Sequence, residues 1–596
     1  MRLAKIVLRE RAANPVGRLL RLGQPSDRGQ TIPDEGAQRI RLLEAKPPLM
    51  TPAKRHLRPG MPLERRTLVP FKGTDLVRLD PKTPAIKHGH DLFGVRIARA
   101  QSGGQLFQRL IELTRPDQRP RLAQTCLSIL RTEQKHQRSA NPAPQPQRCG
   151  DPAPAGPRPW RPGRLHLALA FLGLMSGGAG AQEITPDDFL SFDPAQARIG
   201  QLLFYDKILS GNRNISCATC HHHDLGGTDR LSLGIGEGGE GLGPARRAIS
   251  GRARVARRIP RNAPGLWNLG HRDVAVLFHD GRLSRSERFV SGFASPAGDH
   301  LPEGLNSIIA AQALFPMTAE FEMAGNVGEN PLADAVAGGV HLGWPIIAER
   351  VRGIPAYATL FIAAFPDVST AQDISIVEIA NALAAFIGTE WQSYDSPYDA
   401  YLAGIAPLPE EAARGETLFF GEAGCAACHS GPLFSDQDFH AMGLPGFGPG
   451  RTRLHDPIPR DIGRLAVTDR PEDAYRFRTL PLRNVALTAP YGHNGAYPTL
   501  RGIIRHMANP VGERLRWEPR LAHLPSADWL HDYDFVLLED RLETARQVET
   551  IETRRVALTD DDVTDLEAFL NALTGESALT RPLGRPDRVP SGLSVD

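Results

Sequence analysis

The sequence predicts a mainly α-helical protein, and three observations carry that expectation. "ALTDDDVTDLEAFLNALTGES" (557–577) places Thr559 as an N-cap ahead of Val563, Leu566, Phe569, Leu570 and Leu573, an apolar stripe at helical spacing. "DISIVEIANALAAFIGTEW" (373–391) reads as a second helix of the same kind. The third observation is a repeated motif, Cys-x-x-Cys-His, at Cys217, Cys220, His221 and again at Cys425, Cys428, His429.

Along the chain, the first 160 residues stand apart. Residues 1–164 hold 32 Lys and Arg against 13 Asp and Glu, which leaves 38 against 54 for the remainder. The overall charge of +3 therefore hides a basic leader joined to an acidic body. The leader is rich in Arg, Pro and Gln, and "NPAPQPQRCGDPAPAGPRPWRPG" (141–163) is Pro-rich low complexity. We expect 1–160 to be a disordered basic leader or no part of the working protein. A basic arm for nucleic acid or membrane is the lesser reading, and no nucleic-acid partner is expected.

"RPGRLHLALAFLGLMSGGAGAQE" (161–183) has a basic start, an apolar run from Leu165 to Met175 and a small-residue exit at Ala179–Ala181. That is the layout of a signal peptide over 161–181. Its apolar run falls short of the roughly 20 residues that a membrane span needs. A periplasmic location is the expectation. Translation would then begin at a non-Met codon, since no Met lies between Met61 and Met175.

The cysteines follow the same division. Cys126 and Cys149 lie in the leader, and the other four form the two motifs. In an oxidising compartment, exposed free dithiols would oxidise. Zinc would take four ligands from the two pairs, yet two adjacent histidines would then be coincidence and the short spacing between half-sites is missing. A thioredoxin-like dithiol is usually single. Haem c explains the whole motif: two thiols add across the vinyl groups, and the next histidine sits beneath the iron. The reading is two covalently bound haem c groups, with His221 and His429 as proximal ligands. His222 and His223 are read as surface residues.

Several further blocks surround these motifs in order: "IGQLLFYDKILSGNRNISCATCH", "RNAPGLWNL", "LFHDGRLS", "FEMAG", "GETLFFGEAGCAACHSGPLFSD" and "RTLPLRNVALTAPYGHNGAYPTLRGIIRHM". Together they resemble the bacterial di-haem cytochrome c peroxidases and their MauG-like relatives, over about residues 190–575. The resemblance implies two cytochrome-c-like haem domains in tandem. We set an N-terminal peroxidatic domain at 183–395, a C-terminal electron-transfer domain at 396–580 and a flexible tail at 581–596.

It also implies roles. Glu322, in "FEM", matches the catalytic glutamate; alone it would read as a solvated acid. Met507 lies 14 residues after His493 and matches the methionine ligand of the second iron in peroxidase members, where MauG-like members carry tyrosine. Asn262, Thr488 and Pro490 match a calcium site. The position 16 residues after His221, where many members place a histidine that caps the iron, is Glu237. That change predicts a first iron open to peroxide. His279 occupies the place of an inter-haem tryptophan, and Trp267 is a nearby candidate to compensate.

The activity so implied is reduction of hydrogen peroxide by electrons from a small donor such as a cytochrome c or a cupredoxin. A MauG-like oxidase acting on a partner protein or organic substrate is the second reading. A non-catalytic electron carrier or haem sensor is the third. The resemblance leaves a homodimer open.

Overall fold

The computed structural model describes residues 182–596, apart from 251–254, 454–455 and 457, together with the backbone of four short strands nearer the N-terminus. Those strands form two antiparallel pairs, Leu68–Phe71 with Asp75–Arg78 and Asp91–Leu92 with Val95–Arg96. The expected leader and signal peptide otherwise lie outside the described residues. From Gln182 onward the described residues belong to one compact unit, mainly helical with short strands. Among the described residues no helix is long and apolar enough to cross a membrane.

The unit is organised by one helix crossing that occurs twice. Helix α1 (Pro194–Tyr205) starts where Asp193 accepts from the Ala195 and Gln196 amides, with Pro194 pre-set in the first turn. It lies on α2 (Ile376–Glu390), whose start is closed by a capping box between Ser375 and Glu378. At the crossing, a Cβ on Gly200 would collide with the Ala382 carbonyl, so the backbones touch. Phe204, Phe386 and Trp391 fill the angle beside it, with ring centroids 5.2–5.3 Å apart.

Helix α3 (Glu410–Phe420) crosses α5 (Asp560–Asn571) in the same manner. Here a Cβ on Gly415 would strike the Asp565 carbonyl, and Phe419 meets Phe569 at 5.1 Å. Thr559 caps α5 as expected, accepting from the Asp562 amide. Gly200 and Gly415 each precede a Leu-Phe pair by three residues, Leu203-Phe204 and Leu418-Phe419. The larger core cluster draws on 184–391 plus Leu433, Ala578 and Val589, and the second on 398–573.

A small antiparallel sheet is formed by β1 (Val276–Leu277), β2 (Leu283–Arg285) and β3 (Phe293–Ala294), in order β1-β2-β3. Its β1–β2 turn carries His279, Asp280 and Arg282. Helix α4 (Leu500–Ala508), capped by Thr499, packs on α5.

Residues 581–596, expected to be a flexible tail, instead form a strap across the first half. The Leu583 and Gly584 amides donate to the buried carboxylate of Glu390 (2.8 and 2.9 Å), and their carbonyls accept from Gln201 Nε2. Ser591 donates to Asp206 (2.6 Å), and Asp596 accepts from Ser216 Oγ (3.0 Å) beside Lys207. The physical reason is mutual need: Glu390 and Asp206 are fully buried carboxylates, and the strap supplies donors to both.

Candidate haem and peroxide site

The first motif is held by a single helical turn, Cys217–Cys220, with Ser216 as its N-cap. The turn sets both sulfurs along one side and delivers His221 at its end. His221 Nδ1 lies 3.0 Å from the Gly227 carbonyl. A carbonyl only accepts, so Nδ1 carries the proton and Nε2 keeps its lone pair for a metal. The Gly226–Gly227 bend is braced by Trp267, whose Nε1 donates to Gly226 O (3.0 Å), and by Trp391, whose Nε1 would lie 2.7 Å from a Cβ at Gly227. Trp267, expected as a compensating inter-haem group, is thus tied to the bend that orients His221, although its ring also lines the cavity. His222, expected at the surface, is buried at 6% exposure, because its backbone pairs with Thr228 and its Nδ1 accepts from the Asp224 amide.

The second motif repeats the arrangement on a 3-10 turn, Cys425–Ala427, with His429 Nδ1 2.9 Å from the Phe434 carbonyl. None of the four sulfurs is in a disulfide. Burial pushes the Cys217 thiol up to about 12 and the Cys425 thiol up to about 11. All four cysteines are half-buried, and thiols held neutral make poor nucleophiles for thiol–disulfide exchange, which argues against a dithiol switch.

Both motifs open on one continuous cavity of about 820 Å3. The pieces fit two haem groups: four free thiols, two imidazoles with Nε2 available, and buried cations suited to carboxylates. Arg478 is one such cation, with its pKa lowered to about 10 by burial alone.

Glu322 lines this cavity with the first motif. It sits in a π-helical turn, Glu320–Ala324, closed by Gly325 N–H to Glu320 O at 3.2 Å. Burial raises its carboxyl above the ordinary range, and Arg282 and Arg451 draw it back part of the way. Gly236 lies so close beneath that a Cβ there would strike the Phe321 and Glu322 backbone carbonyls. The neighbouring Glu237 accepts from Asn214 (2.9 Å) and Asn212 (3.2 Å) and is not among the residues lining the cavity.

The loop bearing Gly236 and Glu237 is held from outside by 523–534. The Ser232 amide donates to His523 O and the His523 amide to Ser232 Oγ, both at 2.8 Å, and Arg258 pairs with Asp534 at 2.8 Å, both buried.

Between the motifs, His279 Nε2 lies 3.1 Å from the Asn262 carbonyl, and the Asn262 amide donates to His493 O (2.9 Å). Burial, then the Arg261 cation, pull His279 down to about 4, so it is a neutral donor. His493 stacks on Phe477 at 3.5 Å. Asp280, the next residue, is fully buried and meets Arg261 (2.8 Å), Arg282 (3.0 Å) and Arg451 (3.5 Å). Burial alone would raise Asp280, yet the three cations outweigh it and hold the carboxyl well below its usual range. This hub was missed from the sequence, because Arg451, and Asp461 paired with Arg261 at 2.7 Å, reach it from the far half of the chain.

Met507 lines the cavity, and so does Met442, which no sequence signal singled out. Asn262, Thr488 and Pro490 also line it. Asn262 Nδ2 donates to Leu231 O (2.8 Å) and Thr488 Oγ1 to Val485 O (3.0 Å), which leaves oxygen lone pairs on both but no carboxylate among the three. Among the described residues, the group of His, Cys, Asp or Glu close enough to share a metal is Cys428, Asp436 and His440, and it contains a sulfur of the second motif.

Two histidine-bearing cysteine motifs share a cavity with a half-buried carboxyl, a set of groups that fits paired haem sites. Residues 194–406 match the family described as di-haem cytochrome c peroxidase. The chain is 30% identical to the cytochrome-c peroxidase IdrP1 of Denitromonas iodatirespirans over 332 residues, 51% of this chain and 70% of that protein. It is 26% identical to IdrP2 of a Pseudomonas species over 382 residues, 59% of this chain and 87% of the relative. It is 29% identical to the methylamine utilization protein MauG of Methylorubrum extorquens over 316 residues, 52% and 68% of the two chains. The chain belongs to the di-haem cytochrome c peroxidase and MauG family. It is an oxidoreductase of that type, and the family implies two haem cofactors.

Proposed function

We propose that the chain is an exported, periplasmic di-haem c-type peroxidase that reduces hydrogen peroxide to water with electrons from a small redox protein such as a cytochrome c or a cupredoxin. Cys217, Cys220 and His221 would hold the first haem, and Cys425, Cys428, His429 and Met507 the second. When bound, these groups supply the redox chemistry. The chain supplies the rest. The carboxylate of Glu322 takes a proton from the near peroxide oxygen and returns it to the leaving oxygen. Arg282 and Arg451 keep enough carboxylate present for the first transfer. His279, neutral and bonded to the Asn262 backbone, fills the space between the two sites. Asn262, Thr488 and Pro490 would offer neutral oxygens to a calcium ion.

The observation that carries this reading is the half-buried Glu322, its carboxyl raised by desolvation, in the cavity it shares with the first motif. A carrier without turnover has no use for such a group. Peroxide turnover with reduced cytochrome c tests it, comparing wild type with Glu322→Ala and Met507→Tyr. Wild-type activity lost in Glu322→Ala is expected; an inactive wild type with several donors sinks the proposal.

A MauG-like oxidation of a larger partner is the second reading. His279 favours it, since imidazole is harder to oxidise than the indole other members carry there. Under that reading, Met507→Tyr keeps or gains activity toward the partner.

A further inference from the structure

His506 takes no part in the chemistry described so far, yet it is a buried side chain next to Met507 with both ring nitrogens partnered. It is fully buried at the end of α4, and it and Leu500 are the buried residues of that helix. Its Nε2 lies 2.9 Å from the Met442 carbonyl, and its Nδ1 lies 2.8 Å from the Tyr497 hydroxyl. The carbonyl only accepts, so Nε2 carries the proton, and Nδ1 accepts from Tyr497. One tautomer satisfies both partners.

Three segments meet at this ring. Helix α4 carries Met507; the stretch after strand Phe439–His440 carries Met442; and the bend closed by the Tyr491–Tyr497 bridge carries His493. All three of those side chains line the cavity. Elsewhere α4 rests on the second core cluster through Leu500, Ile503 and Ile504, and its polar contacts are exposed, such as Arg501 with Thr564 (3.0 Å) and Arg505 with Asp560. Exposed pairs of that kind fix a helix end weakly. A one-residue neighbour on a helix cannot move without carrying Met507 along.

We propose that His506 is a positioning residue: bonded to Met442 O and Tyr497 Oη, it sets the C-terminal turn of α4 so that the Met507 thioether faces the second haem site. This rests on reading Met507 as an iron ligand, and the test separates the two. A thioether on ferric haem gives a near-infrared charge-transfer band, and its loss lowers the reduction potential of that haem. Both are read on the full holoprotein.

Wild type shows the band and Met507→Leu abolishes it. His506→Leu, which can make neither bond, loses the band and lowers the potential. His506→Gln, whose amide can donate to Met442 O and accept from Tyr497, restores both, and Met442→Leu keeps the band. If Met507→Leu abolishes the band but His506→Leu leaves band and potential unchanged, the positioning role is overturned and the ligand reading stands. If wild type has no band, or Met442→Leu removes it instead, the Met507 reading itself falls. Should His506→Leu fail to fold, Tyr497→Phe deletes one hydroxyl only; it is expected to lower the potential, and an unchanged potential overturns the proposal.

Discussion

Glu322 shows how opposing effects set one group. Burial favours its neutral form, and two nearby arginines favour the charged form without prevailing. The peroxide reaction at the first site should therefore speed up as pH rises through a midpoint above 4.5, the ordinary value. Glu322→Gln should remove that dependence and slow the reaction by about 10²–10⁴-fold. Arg282→Gln should move the midpoint upward, because it deletes a cation that favours the carboxylate; stopped-flow rates against pH check both. The stability sign follows from the same shift. A carboxyl whose folded pKa is raised stabilises the fold below its unfolded value and loses that contribution as pH rises through the folded one. Glu322→Gln should then be at least as stable as wild type at neutral pH in urea unfolding. The sequence identified this residue through its "FEM" motif alone. Its burial and its partner Arg451 depend on chain contacts that no local pattern encodes.

At the scale of elements, what was legible was what is local. The helices over 376–390 and 560–571 follow from apolar period and caps that lie within a few residues of each other. The π-helical turn under Glu322 was not legible, since its widened ring is stabilised by Gly236 packing against it from another loop. The close backbone approaches at Gly200 and Gly415 were equally hidden, because a helical glycine reads as a weak helix former until its neighbour is known. These two crossings make a sharp prediction. Gly415→Ala should help α3 by about 1 kcal/mol of intrinsic propensity. The new methyl, however, meets the Asp565 backbone carbonyl rather than a movable side chain, so overpacking of about 1–3 kcal/mol should prevail. Denaturant midpoints should fall, with the second half loosening first by hydrogen exchange. A variant more stable than wild type would mean that α3 and α5 are not in backbone contact.

Across the whole molecule, the two halves share more than a cavity, and the shared parts were the hardest to foresee. The strap at 581–596 was expected to be a flexible tail, yet Leu583, Leu593 and Val595 pack against the first core and its amides serve Glu390. Likewise, the even overall charge gave no sign that Asp280 gathers arginines from both halves. Arg464 adds to the hub from the second half, donating to the Asp280 carbonyl at 2.9 Å. Removing the Asp280 charge leaves the largely buried Arg282 without its carboxylate and beside the partly exposed Arg451, while Arg261 keeps Asp461 at 2.7 Å. Breaking one side of a buried ionic cluster costs about 3–5 kcal/mol, so Asp280→Asn should lose that much in urea unfolding at pH 7. Asp280 has a depressed folded pKa, so its contribution is present above the unfolded value of 3.8 and fades as pH falls below it. The gap between wild type and Asp280→Asn should accordingly close only in strong acid. The same variant should lower the pH midpoint of the Glu322-dependent reaction, because Arg282 and Arg451, no longer neutralised, favour the carboxylate more strongly. Loss of stability with an unmoved midpoint would show that the hub joins the halves without reaching the peroxide site.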